Sequence, residues 1–203
     1  MQRFSDVEAF ILAGGKSSRM GTDKALLEIS GKPLAVRTAE TVKPFVARVM
    51  LICDERRQTE LGLPVIADRW PGAGPLGAIA TALLETTKAW ALILACDLPY
   101  LNAKWIASLC ERALAAPPDA FDALVPASAN GLEPLCAMYR AAAGGVLSKA
   151  VENGTRKVTN GLALLKIQSI PEAQWSRFSP NGKLFRNLNT WQDYLDARND
   201  LER

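Results

Sequence analysis

The chain contains four short apolar runs, each of which ends at a polar or glycine-containing loop. Continuous hydrophobicity over such short stretches predicts strands of a sheet that is covered on both faces. The predicted strands are Val7–Leu12, Val46–Cys53, Trp90–Cys96 and Ala123–Ala127, and a shorter strand is expected at Leu63–Ala67.

Helical periodicity lies between these runs. Pro33 is placed to open a helix that continues to about Lys43, since proline is tolerated at a first helical position. A second helix is predicted from Pro75 to Lys88, and a third after Asn102, which has the residue type of an N-cap. Weaker patterns predict a helix at Ala141–Val151, a strand at Leu164–Ile170 and a closing helix at Asp193–Leu201.

This alternation of strands and helices predicts the fold class. It is typical of an α/β protein, and we expect a three-layer sandwich around a mostly parallel, Rossmann-like sheet. The 203 residues fit one domain, 1–203, and show neither a repeat nor a linker. No apolar run approaches the roughly 20 residues of a transmembrane helix, and the first residues lack a secretory apolar region.

Composition excludes several classes of function. A net charge of +3, without a long basic run, does not favour nucleic-acid binding. The four cysteines form no Cys-x-x-Cys pair, so we expect reduced thiols in a cytoplasmic protein. Histidine is absent, which excludes mechanisms that use an imidazole base. A metal would then be a hard, oxygen-bound ion such as Mg²⁺.

The loop after the first strand is the strongest functional signal. Gly14 and Gly15 are followed by Lys16, Arg19 and Lys24, so a buried strand leads into a basic loop. Glycine lets backbone N–H groups approach an anion, and this arrangement predicts phosphate binding. The spacing does not match a P-loop, because no Gly-Lys-Ser/Thr follows at the required position.

Two acidic residues follow predicted strands. Asp97 comes directly after Trp90–Cys96, and Pro99 prevents that strand from continuing. Ligands of open α/β sheets bind beyond the carboxyl ends of strands, so Asp97 is a candidate for holding Mg²⁺ over phosphates. Asp68 ends the shorter strand; it is a second candidate, or simply a loop acid paired with Arg69.

An alternative site lies at residues 72–77, where the glycines match Gly-x-Gly-x-x-Gly before a predicted helix. With Asp97 about twenty residues further on, this has the parts of a dinucleotide-binding fingerprint. However, Asp68–Pro71 separates the strand from the first glycine, and a dehydrogenase would leave the basic N-terminal loop unexplained. The fingerprint is therefore the weaker hypothesis.

Several segments together resemble the nucleotidyltransferases related to molybdenum cofactor guanylyltransferase. The resemblance covers roughly residues 6 to 200, and its first and fourth segments are specific as a pair. The segments are Leu12-Ala13-Gly14-Gly15 with Ser18-Arg19-Met20-Gly21 and Asp23-Lys24, Gly31-Lys32-Pro33-Leu34, Gly74-Pro75-Leu76-Gly77, Cys96-Asp97-Leu98-Pro99, Glu133-Pro134-Leu135 with Tyr139, and Asn187-Leu188-Asn189-Thr190.

The resemblance implies a nucleotide-diphospho-sugar transferase-like fold and specific residue roles. Asp97 would bind Mg²⁺, Lys24 and Arg19 would bind phosphates, and Asp68 would contact the nucleotide or the metal. The backbone of Leu12, Ala13 and Gly14, with Gly15 beside it, would hold the base and ribose. The implied reaction transfers GMP from GTP to the phosphate of molybdopterin and releases pyrophosphate, and cofactor-synthesis or chaperone proteins would be partners.

Base choice and the last segment leave alternatives open. Leu-Ala-Gly-Gly, as found here, favours GTP, whereas cytidylyltransferase relatives tend to have Leu-Ala-Ala-Gly. Two positions depart from the family pattern: Trp191 replaces the usual proline after Thr190, and Cys53 stands where some relatives carry a base-contacting asparagine. The alternatives are cytidylyl transfer, sugar-phosphate or alcohol-phosphate nucleotidyl transfer, and a non-catalytic nucleotide-binding partner in cofactor delivery.

Overall fold

The computed structural model describes residues 2–14, 23–53 and 60–203, and in these residues helices flank a central sheet. The strands are β1 (Phe4–Leu12), β2 (Glu28–Ile29), β3 (Lys32–Pro33), β4 (Val46–Cys53), β5 (Val65–Ala67), β6 (Trp90–Ala95), β7 (Ala123–Ser128), β8 (Gly131–Leu132), β9 (Cys136–Arg140) and β10 (Ile167–Ile170). The α-helices are α1 (Leu34–Val42), α2 (Pro75–Glu85), α3 (Ala103–Leu114), α4 (Gly144–Glu152), α5 (Val158–Leu162), α6 (Glu172–Trp175) and α7 (Trp191–Leu201). Short 3₁₀ turns occupy Lys24–Leu26, Ala141–Ala143 and Ser176–Phe178.

The main sheet has the strand order β10-β7-β9-β6-β1-β4-β5, and β8 pairs with β7. Parallel pairing joins β6 to β1, β1 to β4, β4 to β5 and β10 to β7. In contrast, β9 runs antiparallel to both of its neighbours, β6 and β7. The predicted three-layer α/β sandwich with a mostly parallel sheet is confirmed.

Two hydrophobic layers explain why β1 is apolar at successive positions. Ala9 and Ile11 pack in the layer that contains α1 and α3. Phe10 and Leu12 point to the opposite layer, which contains α2 and α4. Because successive side chains of a strand face opposite sides of the sheet, burial of both faces requires apolar residues throughout.

Helix α2 ends earlier than predicted, at Glu85 rather than Lys88. Thr86 already has extended backbone angles, and its hydroxyl donates a hydrogen bond to the buried carboxylate of Glu8 in β1. Thr87 donates to the same carboxylate through both its N–H and its hydroxyl. Burial opposes ionisation of Glu8, but the hydrogen bonds from Thr87 and Thr86, with Arg48 nearby, lower its pKa overall.

Other boundaries also differ from the predictions. Pro33 belongs to β3, so the first helix starts at Leu34. The strand predicted at Leu63–Ala67 is limited to Val65–Ala67. The helix predicted at Ala141–Val151 begins as a 3₁₀ turn before α4.

The predicted strand Leu164–Ile170 is wrong in its first part. The N–H of Leu164 donates to the Gly161 carbonyl, and that of Leu165 donates to the Leu162 carbonyl. These bonds close α5, a short helix absent from the sequence prediction, so the strand starts only at Ile167. Strand β9 was also not predicted, although it lies inside the main sheet.

Candidate active site

The carboxyl ends of three central strands lie level at one edge of the sheet. Leu12 at the end of β1 is in register with Ile52 of β4 and with Ala95 of β6. Beyond these ends, the Ala13 N–H donates to the Ile52 carbonyl at 3.1 Å, and the Cys96 N–H donates to the Leu12 carbonyl at 3.4 Å. The predicted segment Leu12–Gly14 and the predicted Asp97 are therefore brought to the same edge.

Gly14 is not needed for packing against β4. A Cβ built at this position would lie 3.7 Å from the Ile52 carbonyl oxygen, which is an ordinary van der Waals distance. The described part of the scaffold thus has room for alanine at 14. Gly15 and Arg19 lie outside the described residues, so their predicted contacts with base and phosphate stay predictions.

Lys24 and Asp97 form an ion pair at this edge. The Lys24 Nζ lies 2.8 Å from the Asp97 Oδ2, and the two side chains are 21% and 17% exposed. Asp23 caps the 3₁₀ turn that carries Lys24 by accepting a hydrogen bond from the Ala25 N–H at 3.1 Å. The structure therefore brings together two of the three residues for which we predicted catalytic roles.

Asn189 is a third member of the site. Its Oδ1 lies 3.4 Å from the Lys24 Nζ, and the N–H of the preceding Leu188 donates to the Asp97 carbonyl at 3.2 Å. The Asn-x-Asn-Thr segment indicated this region, but the sequence left the role of Asn189 open. The contact spans 165 positions of the chain, so no local pattern could have revealed it.

Asp68 has a role in building the loop before α2. Its Oδ1 accepts hydrogen bonds from the Trp70 N–H at 3.0 Å and the Thr81 hydroxyl at 3.1 Å. The side chain of Arg69 donates instead to Glu85, so the alternative of an Asp68–Arg69 pair is wrong. Within the described ranges, Asp97 belongs to no group of three or more His, Cys, Asp or Glu side chains that could hold a metal.

The glycines at 72–77 shape a loop that differs from a dinucleotide fingerprint. Gly74, the N-cap of α2, has φ +73°, a conformation that side-chain-bearing residues rarely adopt. A Cβ on Gly77 would lie 2.9 Å from the Ala73 Cβ and 3.2 Å from the Trp70 carbonyl oxygen. Local turn and packing requirements account for Gly74 and Gly77. The segment Asp68–Pro71 separates the end of β5 from the first glycine, Gly72.

Glu133 lies near the same sheet edge. The Leu135 carbonyl accepts a hydrogen bond from the Ala95 N–H at 2.7 Å, which ties this segment to the end of β6. Burial raises the pKa of Glu133, while a 2.6 Å hydrogen bond from the Ser128 hydroxyl partly opposes that effect. The sequence named Glu133 as part of a motif but gave it no role.

The sequence and structure of this chain are similar to those of known proteins. The model of the MobA-like NTP transferase domain matches residues 9–167, which include the whole edge from β1 to β6. The chain belongs to this family. Its predicted nucleotidyltransferase class is thereby confirmed, and the dehydrogenase alternative is wrong.

Relatives of the family match over most of this chain. A protein of Carboxydothermus hydrogenoformans named a probable molybdenum cofactor guanylyltransferase is 34% identical over 184 residues, covering 91% of each chain. A similarly named protein of Synechococcus elongatus is 36% identical over 170 residues, which cover 80% of this chain and 87% of that protein.

Solved structures of the family and its fold also match. Molybdopterin-guanine dinucleotide biosynthesis protein A from Archaeoglobus fulgidus superposes with a TM-score of 0.82 at 26% identity, covering 96% of this chain and 98% of that one. A cytidylyltransferase for 2-C-methyl-D-erythritol 4-phosphate from Thermus thermophilus has a TM-score of 0.71 at 15% identity, covering 98% of this chain and 100% of that one. The second likeness shows the nucleotide-diphospho-sugar transferase-like fold alone.

Proposed function

We propose that this protein transfers GMP from GTP to the terminal phosphate of molybdopterin and releases pyrophosphate. The observation that carries the proposal is the Lys24–Asp97 pair beside the carboxyl ends of β1 and β6. A basic and an acidic side chain together suit a phosphate chain and its counter-ion. The names of the relatives support guanine as the base and the molybdenum cofactor as the acceptor.

The reaction asks for positioning and charge neutralisation. A P–O bond forms between an oxygen of the acceptor phosphate and the α-phosphorus, and the bond from that phosphorus to the pyrophosphate oxygen breaks. An ionised phosphate is already nucleophilic, so a chain without histidine loses nothing. Lys24 would neutralise charge on the phosphates, and Arg19 is proposed to do the same.

The donor set at this edge fits Mg²⁺. The Asp97 carboxylate and the Asn189 amide oxygen both approach a cation, the Lys24 ammonium, at 2.8 and 3.4 Å. These are hard oxygen donors, and Mg²⁺ in enzymes is commonly held by one or two carboxylates together with substrate phosphates. Asp97, aided by Asn189, would hold the ion, and when bound it would supply positive charge to the triphosphate.

The nucleotide would lie along the level strand ends. The backbone of Leu12–Gly14 continues β1 past its last sheet position, where Gly14 leaves space for a close ligand. Asp68 holds the 68–77 loop through Trp70 and Thr81, and we propose that this loop borders the nucleotide.

Among the described residues, no helix has the length and apolar character needed to cross a membrane. All four cysteines are buried thiols, as suits the proposed cytoplasmic location.

The test is pyrophosphate release from GTP with molybdopterin and Mg²⁺, compared between the unaltered protein and Asp97→Asn. The substitution keeps the shape of the side chain but removes its charge. We expect turnover to fall by at least about 10²-fold, as when one charge-stabilising group is lost, while the variant stays folded. Near-normal release by Asp97→Asn would reject the role of Asp97. Release with CTP rather than GTP would favour the cytidylyl alternative, and tight binding without release would favour a non-catalytic partner.

A further inference from the structure

The turn that enters α7 contains more hydrogen bonds than a helix cap requires. Thr190 is the N-cap, its hydroxyl accepts from the Asp193 N–H at 3.1 Å, and the Asp193 Oδ2 accepts from the Thr190 N–H at 2.9 Å. This reciprocal pair is a capping box, which satisfies the backbone N–H groups of Asp193 and Thr190. The same Oδ2 also accepts from the N–H of Asn189 at 3.2 Å, one residue outside the box.

The other oxygen of this carboxylate is held as well. The Asp193 Oδ1 accepts a hydrogen bond from the Arg186 guanidinium at 3.2 Å. Arg186 is also 3.2 Å from Asp196, one turn further along α7. Asp193 is therefore fixed from both sides, and it can hold the backbone of Asn189 in a defined place.

The segment between the core and the helix is thus anchored at both of its ends. Leu188 is buried, and its N–H is bonded to the Asp97 carbonyl at 3.2 Å. Asn189 and Thr190 are bonded to Asp193. Between these anchors, the Asn189 amide oxygen faces the Lys24 ammonium, which in turn pairs with Asp97.

We propose that Asp193 is a positioning residue, which holds Asn189 beside the Lys24–Asp97 pair so that its amide oxygen serves the phosphate site. The inference rests on the proposed function, because it assigns Asn189 to that reaction. Its physical basis is the sensitivity of positioned groups, since a displacement of about 1 Å can cost up to 10²-fold in rate. Loss of the carboxylate charge weakens the hydrogen bonds from the Asn189 N–H and from Arg186, so the Asn189 amide oxygen is held less firmly.

A double-mutant cycle separates this role from simple helix capping. The variants are Asp193→Asn, Asn189→Ala and the pair, and the readouts are kcat and KM for pyrophosphate release together with the Kd of Mg-GTP from calorimetry. We expect Asp193→Asn to lower kcat/KM by about tenfold in the unaltered background, but by less than about twofold when Asn189 is already alanine, as coupled neighbours require. The melting temperature should fall equally in both backgrounds, because the capping box is weakened in both.

Asp196→Asn is the matched control. Asp196 lies on the same helix, pairs with the same Arg186 and accepts a hydrogen bond from the Gln192 side chain at 2.8 Å. Its substitution therefore disturbs an ion pair of Arg186 without removing a hydrogen bond to Asn189. We expect its kcat/KM to stay within about twofold of the unaltered protein. Equal effects of Asp193→Asn in both backgrounds, or an unchanged rate in Asn189→Ala, would overturn the proposal.

Failure of the proposed function gives a different result. If the unaltered protein binds Mg-GTP without releasing pyrophosphate, the proposed reaction is wrong. The double-mutant cycle is then evaluated from the Kd of Mg-GTP alone. Coupling in the Kd would still support positioning of Asn189 by Asp193, and additive losses in the Kd would reject it.

Discussion

The Lys24 ammonium is a cation that lies between two oxygen donors. Its removal should strengthen the binding of free Mg²⁺ and weaken the binding of the triphosphate. In Lys24→Met the side chain keeps a similar length and loses its charge. Asp97 and Asn189 then lose the ammonium that now lies 2.8 and 3.4 Å from their oxygens. Free Mg²⁺ no longer competes with Lys24 for Asp97, whereas a triphosphate loses a cationic partner.

The magnitudes follow from the exposure of the pair. Two unit charges 4 Å apart attract by about 4 kcal/mol near a protein surface, but measured pairs with access to solvent contribute about 0.2–1 kcal/mol. With side chains 21% and 17% exposed, the Lys24–Asp97 pair belongs at the upper end of the measured range. Relief of about 1 kcal/mol should tighten binding of free Mg²⁺ about fivefold. Loss of a charged hydrogen bond to phosphate, about 1.5–3 kcal/mol, should weaken Mg-GTP by about 10- to 150-fold.

Calorimetric titrations with MgCl₂ alone, with Mg-GTP and with guanosine measure these effects. Guanosine affinity should be unchanged, because it lacks phosphate. Lys32→Met is the control, since that lysine forms an exposed ion pair with Glu40. If Lys24→Met weakened all three ligands alike, or left Mg-GTP unaffected, the assignment of Lys24 to phosphate would be refuted.

Two further predictions concern base selection and the sheet. We expect GTP to bind at least about tenfold tighter than CTP in the unaltered protein, since polar groups shaped for guanine would be left unpaired by cytosine, and Gly15→Ala should narrow the difference; equal or tighter CTP binding would remove guanine selectivity and leave nucleotidyl transfer standing. Glu8→Gln should lower the free energy of unfolding by about 2 kcal/mol at pH 7, because charged hydrogen bonds to Thr86 and Thr87 are weakened. Since the pKa of Glu8 is lowered from 4.5 in the folded state, its contribution is present above that value and is lost as the pH falls through the lowered pKa. The difference between variant and unaltered protein in urea titrations should therefore shrink in acid, and a constant difference at every pH would contradict this.

The central strands could be predicted because burial on both faces leaves a local signature. Val46–Cys53 was predicted with both boundaries correct, and Trp90–Cys96 ends one residue early in the structure, at Ala95. The placement of Asp97 followed from the same signature, since a strand that ends in an acid and a proline projects that acid from the sheet edge.

Contacts between segments that are distant in the chain could not be predicted from the sequence. The sequence shows Glu8 only as an acid inside the predicted strand Val7–Leu12, and nothing local shows that Thr86 and Thr87 would hydrogen-bond its carboxylate. Strand β9 depends on antiparallel pairing with β6 and β7, which its residues alone do not specify. The contact of Asn189 with Lys24 likewise needed the folded chain.

The reversed direction of β9 has a consequence for how this scaffold can diversify. Because β9 is antiparallel to β6 and β7, the connection through residues 129–135 returns at the same sheet edge as Asp97. Its tip, residues 129–130, is an exposed turn between β7 and β8. Surface turns tolerate insertions and replacements better than strands do. Insertions at this turn, natural or engineered, can therefore extend the protein beside the candidate site while the parallel strands that carry Leu12 and Asp97 keep their register.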